Sequence, residues 1–381
     1  MRVIFPKYMH EYSAEDFLTS FNGIFHDYEP DLRHRLSRVF RNDRILFLDS
    51  GRSALDLIFK HLNLPEGSEV AIPVNVCHVV VEVILSNKLK PLLIDIDDNL
   101  TLSVPDLRRK LSKKTRVVIP VHAFGNVCDM DSVMGLAKSK NLVVIEDAAQ
   151  TFDASFKNKV VCSFADYSFI SLDVTKHLSS FGGGILITKD DSFYKKTRFF
   201  LDHRQGVGFS VLLKFLAFNF LSSSLVYSLF TKHFVKRIKQ LSYYRPKDRK
   251  LSRVGLALAF SQVKKLALVD KVRKTNADKF VFNLGGDVKF YTSTKDRNPS
   301  YLFLPVEVSN PRKVESFLLR NFVDLPKAPP LLVSLPRYRS YYSKCPKAEG
   351  IYSSMILLPT YRRIGSRVGV ISRSIMHINR S

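Results

Sequence analysis

Seven short apolar runs recur between residues 45 and 190, and polar or amphipathic stretches separate them. They begin at Ile45, Val70, Pro91, Val117, Leu142, Tyr167 and Ile185. Within each run the apolar residues are mostly continuous rather than alternating, which is typical of strands buried on both faces. Several of the intervening stretches are long enough for a helix, so the pattern predicts βαβ crossovers. We therefore expect an α/β core with a mostly parallel central sheet flanked by helices.

The carboxyl ends of such strands are where α/β proteins bind ligands, so the residues that follow each run are the candidates for a site. The strand from Ile45 is followed by Ser50, Gly51 and Ser53 at the apparent start of a helix. Hydroxyl groups and backbone N–H groups at a helix start can hold a phosphate. A small residue between a strand and a helix is also the ordinary form of a βα turn, and this alternative stays open.

Two further strand ends carry ionisable residues. Asp147 ends the strand from Leu142 and lies three residues before Gln150. A buried carboxylate there requires a cation or a ligand, although an aspartate at this point also caps helices. Lys176 lies between two apolar strands and is soon followed by three glycines. Partial burial would make its amine a nucleophile, whereas an ordinary solvated loop lysine is the alternative.

Composition and charge narrow the classes of function. With 45% hydrophobic and 25% charged residues among 381, the chain is neither disordered nor fibrous. Its formal net charge of +24 predicts an anionic partner such as nucleic acid, an acidic membrane surface or a phosphorylated substrate. No helix-turn-helix, zinc-finger or RNA-recognition signature accompanies that charge, so we expect no nucleic-acid partner.

The cysteines and the N-terminus indicate a compartment. Cys77, Cys128, Cys162 and Cys345 are far apart and form no CxxC pair, so neither a zinc site nor a disulfide framework is predicted. Charged residues from position 7 onward leave no apolar stretch for a secretory signal. We expect reduced thiols, no metal ion and a cytoplasmic protein.

The serine–glycine turn, the strand end at Asp147 and the loop with Lys176 occur in this order along the chain. In this order they resemble the DegT/DnrJ/StrS-type sugar-nucleotide aminotransferases, which are pyridoxal-phosphate enzymes of fold type I. The resemblance includes PVHAFG at 120–125, EDAAQ at 146–150 and a serine five residues before Lys176. It continues into SRVGLALAFSQVKKL from Ser252 and ILLPTY near Ile356, and it covers nearly the whole chain except about 207–250. Some members of the family have histidine in place of the lysine and act as dehydratases, so Lys176 follows the aminotransferase pattern.

The resemblance implies a division of the chain and an assembly. We expect an N-terminal helical segment (1–44), a large pyridoxal-phosphate-binding α/β domain (45–206), an apolar and basic insert (207–250) and a smaller C-terminal α/β domain (251–381). A homodimer is also implied, because the active sites of the family lie at a subunit interface.

The resemblance also implies a role for each candidate residue. Lys176 would hold pyridoxal 5'-phosphate covalently and shuttle a proton, and Asp147 would pair with the pyridinium nitrogen. Gln150 would contact the ring hydroxyl. The phosphate would be bound by Ser171 together with Ser50, Gly51 and Ser53.

Three positions depart from the family pattern. Arg52 stands where the family usually has threonine, as either a phosphate contact or a surface residue. The aromatic residue that stacks on the cofactor ring falls near Cys77, and the nearest planar side chain is His78, which is either a stacking residue or a core histidine. An asparagine that reaches the phosphate in the other subunit falls near Asp248. A carboxylate there would repel phosphate, so Arg249 or Lys250 substitutes for it or the alignment is shifted.

The insert at 207–250 has an unusual composition. From Phe209 to Phe230, 15 residues are apolar and 7 are polar, which is nearly the length of a transmembrane helix. A crossing would separate two domains that share one active site, so we expect two shorter helices with a break at the serines. From Val207 to Arg253, ten Lys or Arg face one acid. This predicts either a peripheral contact with the inner membrane face or a helical pair packed on the core or the dimer partner.

The leading interpretation is a pyridoxal-phosphate-dependent aminotransferase. The resemblance implies that it transfers an amino group from an amino acid, most often glutamate, to a nucleotide-linked keto sugar for surface polysaccharide or glycan synthesis. The alternative is a catalytically inactive relative that binds sugar nucleotide or membrane as a scaffold. The departures at Arg52, Cys77 and Asp248 keep that alternative open.

Overall fold

The computed structural model describes residues 4–6, 12–223, 226–227, 248–292, 294–341 and 343–380. Its strands are β1 (Ile45–Leu48), β2 (Glu69–Pro73), β3 (Lys90–Ile94), β4 (Thr115–Val118), β5 (Val143–Asp147), β6 (Ser155–Phe156), β7 (Lys159–Val160), β8 (Tyr167–Ser171), β9 (Gly184–Thr188), β10 (Lys289–Phe290), β11 (Arg297–Asn298), β12 (Phe303–Glu307) and β13 (Met355–Pro359). All seven apolar runs coincide with strands in this set.

The helices of the described residues lie between these strands and at both ends of the chain. They are α1 (Ala14–Asn22), α2 (Glu29–Phe40), α3 (Gly51–Leu62), α4 (His78–Ser86), α5 (Val104–Lys110), α6 (Met130–Ser139), α7 (Asp191–Asp202), α8 (Phe209–Leu221), α9 (Arg253–Lys264), α10 (Leu266–Leu284), α11 (Pro311–Asn321), α12 (Pro346–Ser354) and α13 (Val368–Arg380). Short 3₁₀ turns supplement them at 123–125, 332–334, 336–341 and 362–366.

A seven-stranded sheet is the main layer of the described structure, in the order β1-β9-β8-β5-β4-β2-β3. The neighbours from β3 to β8 pair in parallel, whereas β9 is antiparallel to both β8 and β1. The strands β1 and β9 are buried along their whole length, which explains why their sequences are continuously apolar. The prediction of a mostly parallel α/β sheet with flanking helices is confirmed.

A smaller antiparallel sheet, in the order β10-β12-β13, belongs to the C-terminal part of the chain. Its inner face packs on apolar residues of α10, α11 and α13, such as Phe280, Leu318 and Ile375. The predicted late strand ILLPTY is β13 with the residues that follow it. The predicted smaller C-terminal domain is confirmed.

The helix α9 packs with the large domain, although it follows the boundary predicted at residue 251. Leu256 and Ala259 of α9 belong to the same buried cluster as Ile45 and Phe47 of β1. At the N-terminal end of the chain, Asp16 of α1 accepts hydrogen bonds from Ser261 (2.6 Å) and from Lys265 (2.6 Å). The contacts of α9 therefore tie the N-terminal segment to the core.

The insert begins with α8, which ends at Leu221 beside the predicted serine break. The second predicted helix falls mostly on residues 228–247, which lie outside the described residues. Within the described ranges, no helix combines the length and the apolar character that crossing a bilayer requires.

Candidate active site

A pocket of about 440 Å³ lies at the carboxyl ends of β5 and β8, beside the N-termini of α3 and α4. Its walls include seven of the predicted site residues: Ser50, Gly51, Arg52, Asp147, Gln150, Ser171 and Lys176. Ser53 and His78 do not line it. A larger open groove of about 870 Å³, between the end of α2 and the β6–β7 hairpin, contains none of the predicted residues.

The turn between β1 and α3 presents a helix N-terminus to the pocket. Ser50 is the N-cap of α3, and its hydroxyl accepts the backbone N–H of Ser53 at 3.2 Å. The Ser53 hydroxyl donates to Asp49 at 2.5 Å, so this buried side chain braces the turn rather than facing the pocket. The N–H groups and the positive end of the helix dipole make this turn suitable for a phosphate.

Glycines allow the turn to approach the neighbouring strand. A Cβ atom on Gly184 would lie 2.4 Å from the carbonyl carbon of Ser50 and 2.5 Å from the backbone nitrogen of Gly51. Gly183, at φ +115°, donates its N–H to the Asp49 carbonyl at 2.8 Å. The glycine run after the lysine therefore has a packing function that any residue with a side chain would prevent.

Asp147 is a buried carboxylate in the wall of the pocket. Its Oδ1 accepts the Ala149 N–H at 2.8 Å within a turn, and no helix begins there in the described chain. The helix-cap alternative is therefore wrong. Burial raises the pKa of Asp147 to about 6, against the lowering effects of the Ala149 N–H and of the charges on Lys176 and His122. Such a carboxylate gains stability from a cation placed in the pocket.

The adjacent carboxylate, Glu146, has a different environment. It accepts the Cys162 N–H at 2.6 Å, and its Oε1 lies 3.1 Å from His122 Nε2. The Nδ1 of His122 accepts the Cys128 N–H at 3.1 Å. Glu146 is thus satisfied inside the core, and of these two adjacent acids it is Asp147 that lines the pocket.

Gln150 is oriented by the segment 120–125. Its Oε1 accepts the backbone N–H of Phe124 at 3.0 Å, and Phe124 has a positive φ of 59°. The adjacent Gly125 tolerates a close approach to Tyr301, where a Cβ atom would lie 2.7 Å from the backbone nitrogen. With its oxygen engaged, the amide of Gln150 has its NH₂ group to donate to a ligand.

Lys176 is half-buried on a turn between β8 and β9. Its backbone N–H donates to the Asp173 carbonyl at 3.0 Å, which closes the turn. The next residue, His177, is buried, and its Nε2 lies 3.0 Å from the Ser300 carbonyl of the C-terminal part. Lys176 lines the same pocket as Asp147 and Cys77. Its charge opposes the effect of burial, which raises the pKa of Asp147. Lys176 is therefore placed as a pocket amine, not as a solvated loop lysine.

The structure shows where the three residues that depart from the family pattern lie. Arg52 lines the pocket, as a phosphate contact would. Cys77 lines it too, while His78 is exposed at the start of α4, which places the histidine outside the pocket and away from the stacking role expected of it. Asp248 is bound by Lys60 at 2.6 Å, which compensates its charge. Lys250 pairs with Glu29 at 2.6 Å.

Sequence reasoning missed several pocket residues, including Lys214, Phe181, Phe169 and Val79. Lys214 comes from the apolar helix α8 and adds a second amine to the pocket. Phe181 packs against Phe215 of α8 with ring centroids 6.2 Å apart. No local motif signals Lys214, because it reaches the pocket through the packing of α8 on distant segments.

The donor set of the pocket fits pyridoxal phosphate. An amine for covalent attachment, a buried carboxylate for a protonated ring nitrogen and a hydroxyl-bearing helix N-terminus for a phosphate all face one space. No group of three or more His, Cys, Asp or Glu side chains with a metal-binding arrangement occurs in the part of the chain that the structure describes.

Comparisons with known proteins agree with this geometry. A model of the DegT/DnrJ/EryC1/StrS aminotransferase family matches residues 22–368. GDP-perosamine synthase from Escherichia coli O157:H7 is 25% identical over 324 residues, which cover 82% of this chain and 79% of that protein.

Solved structures show the same fold. The aminotransferase PseC of Helicobacter pylori, involved in pseudoaminic acid biosynthesis, superposes with a TM-score of 0.79 at 16% identity, covering all of both chains. The E. coli GDP-4-keto-6-deoxy-D-mannose-3-dehydratase with bound hydrated PLP reaches a TM-score of 0.79 at 14% identity, covering 98% of this chain and 100% of that one. The chain therefore belongs to the DegT/DnrJ/EryC1/StrS aminotransferase family, and it is a pyridoxal-phosphate-dependent sugar aminotransferase of fold type I.

Proposed function

We propose that the protein transfers the amino group of an amino acid, glutamate first among them, to a nucleotide-linked keto sugar used in surface polysaccharide synthesis. The observation that carries this proposal is the convergence of Lys176, Asp147 and the Ser50–Gly51 turn on one pocket. GDP-perosamine synthase is named for a GDP-linked sugar, which supports a nucleotide-linked acceptor here.

Each pocket residue has a role in this chemistry. The bound cofactor supplies an electron-accepting ring that stabilises negative charge on the substrate carbon. Lys176 Nζ holds the cofactor and then moves a proton at the reacting carbon. The Asp147 carboxylate keeps a proton on the ring nitrogen, and the NH₂ group of Gln150 donates to the ring hydroxyl. Ser50, Ser171 and the N–H groups of α3 hold the phosphate.

Two cationic side chains of the pocket have no role in the scheme above, and each could bind the acceptor or the cofactor phosphate. Arg52 and Lys214 line the pocket from different elements, α3 and α8. A nucleotide-linked sugar carries a diphosphate, and cations at the rim of a pocket favour such a group. We assign Lys214 to the acceptor, because α8 has no part in the phosphate turn.

We further propose that the enzyme is a cytoplasmic homodimer. The likeness to the family supports two subunits, and the segment 207–250 contacts either the partner subunit or the inner membrane face.

The donor half of the reaction tests the function directly. When the cofactor-loaded protein is mixed with glutamate and no acceptor, we expect one equivalent of 2-oxoglutarate per site and conversion of the cofactor to its aminated form. Visible absorbance and chemical assay of 2-oxoglutarate measure both. Addition of nucleotide-linked keto sugars should then restore the original spectrum. A loaded protein that transfers no amino group from any common amino acid would support the scaffold alternative.

The close approach of Gly184 to the phosphate turn gives a second expectation. In Gly184→Ala the new methyl group meets backbone atoms of Ser50, which cannot rotate away, so the turn must shift. We expect at least about tenfold weaker pyridoxal-phosphate binding and a loss of stability of about 1–3 kcal/mol. Fluorescence titration and thermal unfolding measure the two effects.

Gly135 offers the matched control. It lies inside α6 with no atom within 4 Å of an added Cβ, so Gly135→Ala should retain cofactor affinity and gain about 0.5–1 kcal/mol. Unchanged affinity in Gly184→Ala would mean that the β1–α3 turn is not the phosphate site.

A further inference from the structure

The helix α8 is apolar on two opposite faces. Its inward face carries Val211 and Phe215, which are buried against the body of the protein. The Phe215 ring lies 4.9 Å from that of Tyr12 and 5.7 Å from that of Phe17. These contacts hold the helix on the N-terminal segment, and the same cluster includes Val254 and Leu258 of α9.

The outward face of α8 is a stripe of four large apolar residues: Phe209, Leu213, Leu216 and Phe220. Each of them is more than half exposed. Their spacing of four, three and four residues places them in one line along the helix, on the side opposite Val211 and Phe215. Scattered apolar residues are common on protein surfaces, but a contiguous stripe of this kind marks a surface that contacts something.

The charge of the sequence that contains α8 indicates what this stripe contacts. Between Asp202 and Asp248 the chain has no acidic residue and eight Lys or Arg, and Lys214 is the charged residue of α8 itself. An anionic bilayer complements both properties, since it accepts apolar side chains and attracts cations.

We propose that the outward stripe of α8 docks on the surface of an anionic lipid bilayer, with the helix parallel to that surface. At about 1.5 Å per residue its 13 residues span about 20 Å, less than the roughly 30 Å of a hydrocarbon core. The inward face remains packed on Tyr12 and Phe17 while the stripe enters the lipid interface. Since Lys214 of the same helix lines the active-site pocket, docking brings the pocket close to the membrane.

Flotation with lipid vesicles tests the proposal on the full chain. We expect the wild-type protein to float with vesicles of phosphatidylcholine mixed with phosphatidylglycerol, to float less with pure phosphatidylcholine, and to be released by high salt. The variant Phe209→Ser, Leu213→Ser, Leu216→Ser, Phe220→Ser should bind at least about tenfold more weakly. The matched control, Phe199→Ser with Phe282→Ser, removes two exposed phenylalanines elsewhere and should float like wild type.

A single tryptophan keeps the test independent of how well the serine variant folds. The chain has no tryptophan, so Leu216→Trp would provide its only indole fluorophore. The emission of this variant should shift to the blue when anionic vesicles are added, whereas Phe282→Trp should show no shift. Docking is wrong if wild type does not float, if the stripe variant floats like the control, or if vesicles leave the Leu216→Trp emission unaffected. A stripe variant that halves the mass of a wild-type dimer, with no flotation of either, would assign the stripe to a second copy instead.

Discussion

Replacement of Lys176 by alanine is expected to abolish both covalent cofactor attachment and transamination. The amine of Lys176 is the group that we propose holds the cofactor and moves the proton, so its loss should lower the rate by up to about 10⁴-fold. The visible absorbance of the lysine-bound cofactor should be missing after gel filtration. Thermal unfolding should change little, because the side chain is only half-buried and lies on a turn outside the helices and strands.

The pocket itself supplies a strict control for this result. Lys214 is a second amine in the same space, so Lys214→Ala distinguishes attachment at one lysine from attachment at either. We expect Lys214→Ala to keep the absorbance band. Lys159→Ala, on the exposed hairpin, should behave as wild type. A band that survives in Lys176→Ala and disappears in Lys214→Ala would contradict the assignment.

Replacement of Asp147 by asparagine is expected to have opposite effects on activity and on the stability of the cofactor-free protein. The neutral amide cannot keep a proton on the ring nitrogen, so the rate should fall by about 10²-fold or more. In the cofactor-free protein the same change removes a buried charge, so at pH 8 the variant should be more stable than wild type by on the order of 2–3 kcal/mol.

The free energy of unfolding of the cofactor-free protein should depend on pH, and the direction of this dependence follows from the pKa of Asp147. Burial raises the pKa of Asp147 from 3.8 to about 6, so the folded state binds the proton more tightly than the unfolded state does. The stabilisation by the protonated form is complete below about pH 4 and is lost as the pH rises to about 6. Denaturant unfolding of the cofactor-free wild type should show this slope, and Asp147→Asn should lack it.

Asp153 provides the comparison for Asp147. Burial also raises its pKa, but it lies outside the pocket, and its positive φ of 56° is one that asparagine tolerates. Asp153→Asn should therefore retain transamination. Equal loss of activity in both variants would indicate general damage to the fold and not a role on the cofactor ring.

The parts of this molecule that the sequence predicts are those governed by local pattern. Continuous apolar runs identify the strands, because a strand covered on both faces requires them. Ser50 and Asp147 lie at the ends of such runs and Lys176 follows within five residues of β8, so their convergence follows from the direction of the strands. Alternation along the strand implies that Glu146 and Asp147 face opposite sides, and the family resemblance identifies Asp147 as the pocket acid.

The parts that the sequence does not predict depend on side-chain direction and on distant packing. The Ser53 hydroxyl turns toward Asp49, a difference of one side-chain rotamer. Cys77 lines the pocket while His78 is exposed, a difference of one position along the chain. Lys214 reaches the pocket because α8 packs on Tyr12 and Phe17 from the N-terminal segment. No pattern within α8 itself indicates this contact.

The position of β1 in the sheet has a consequence for the order in which the active site assembles during synthesis. Ile45 pairs with Ile187 of β9, and the backbone of Asp49 bonds to Arg249. The phosphate turn is thus closed by partners that leave the ribosome long after it does. Contacts between such distant segments form slowly, so a nascent chain that ends before α9 should have no complete cofactor site. Cofactor capture is therefore expected only after residues up to about 250 have emerged, and it selects chains whose N-terminal and central segments have already joined.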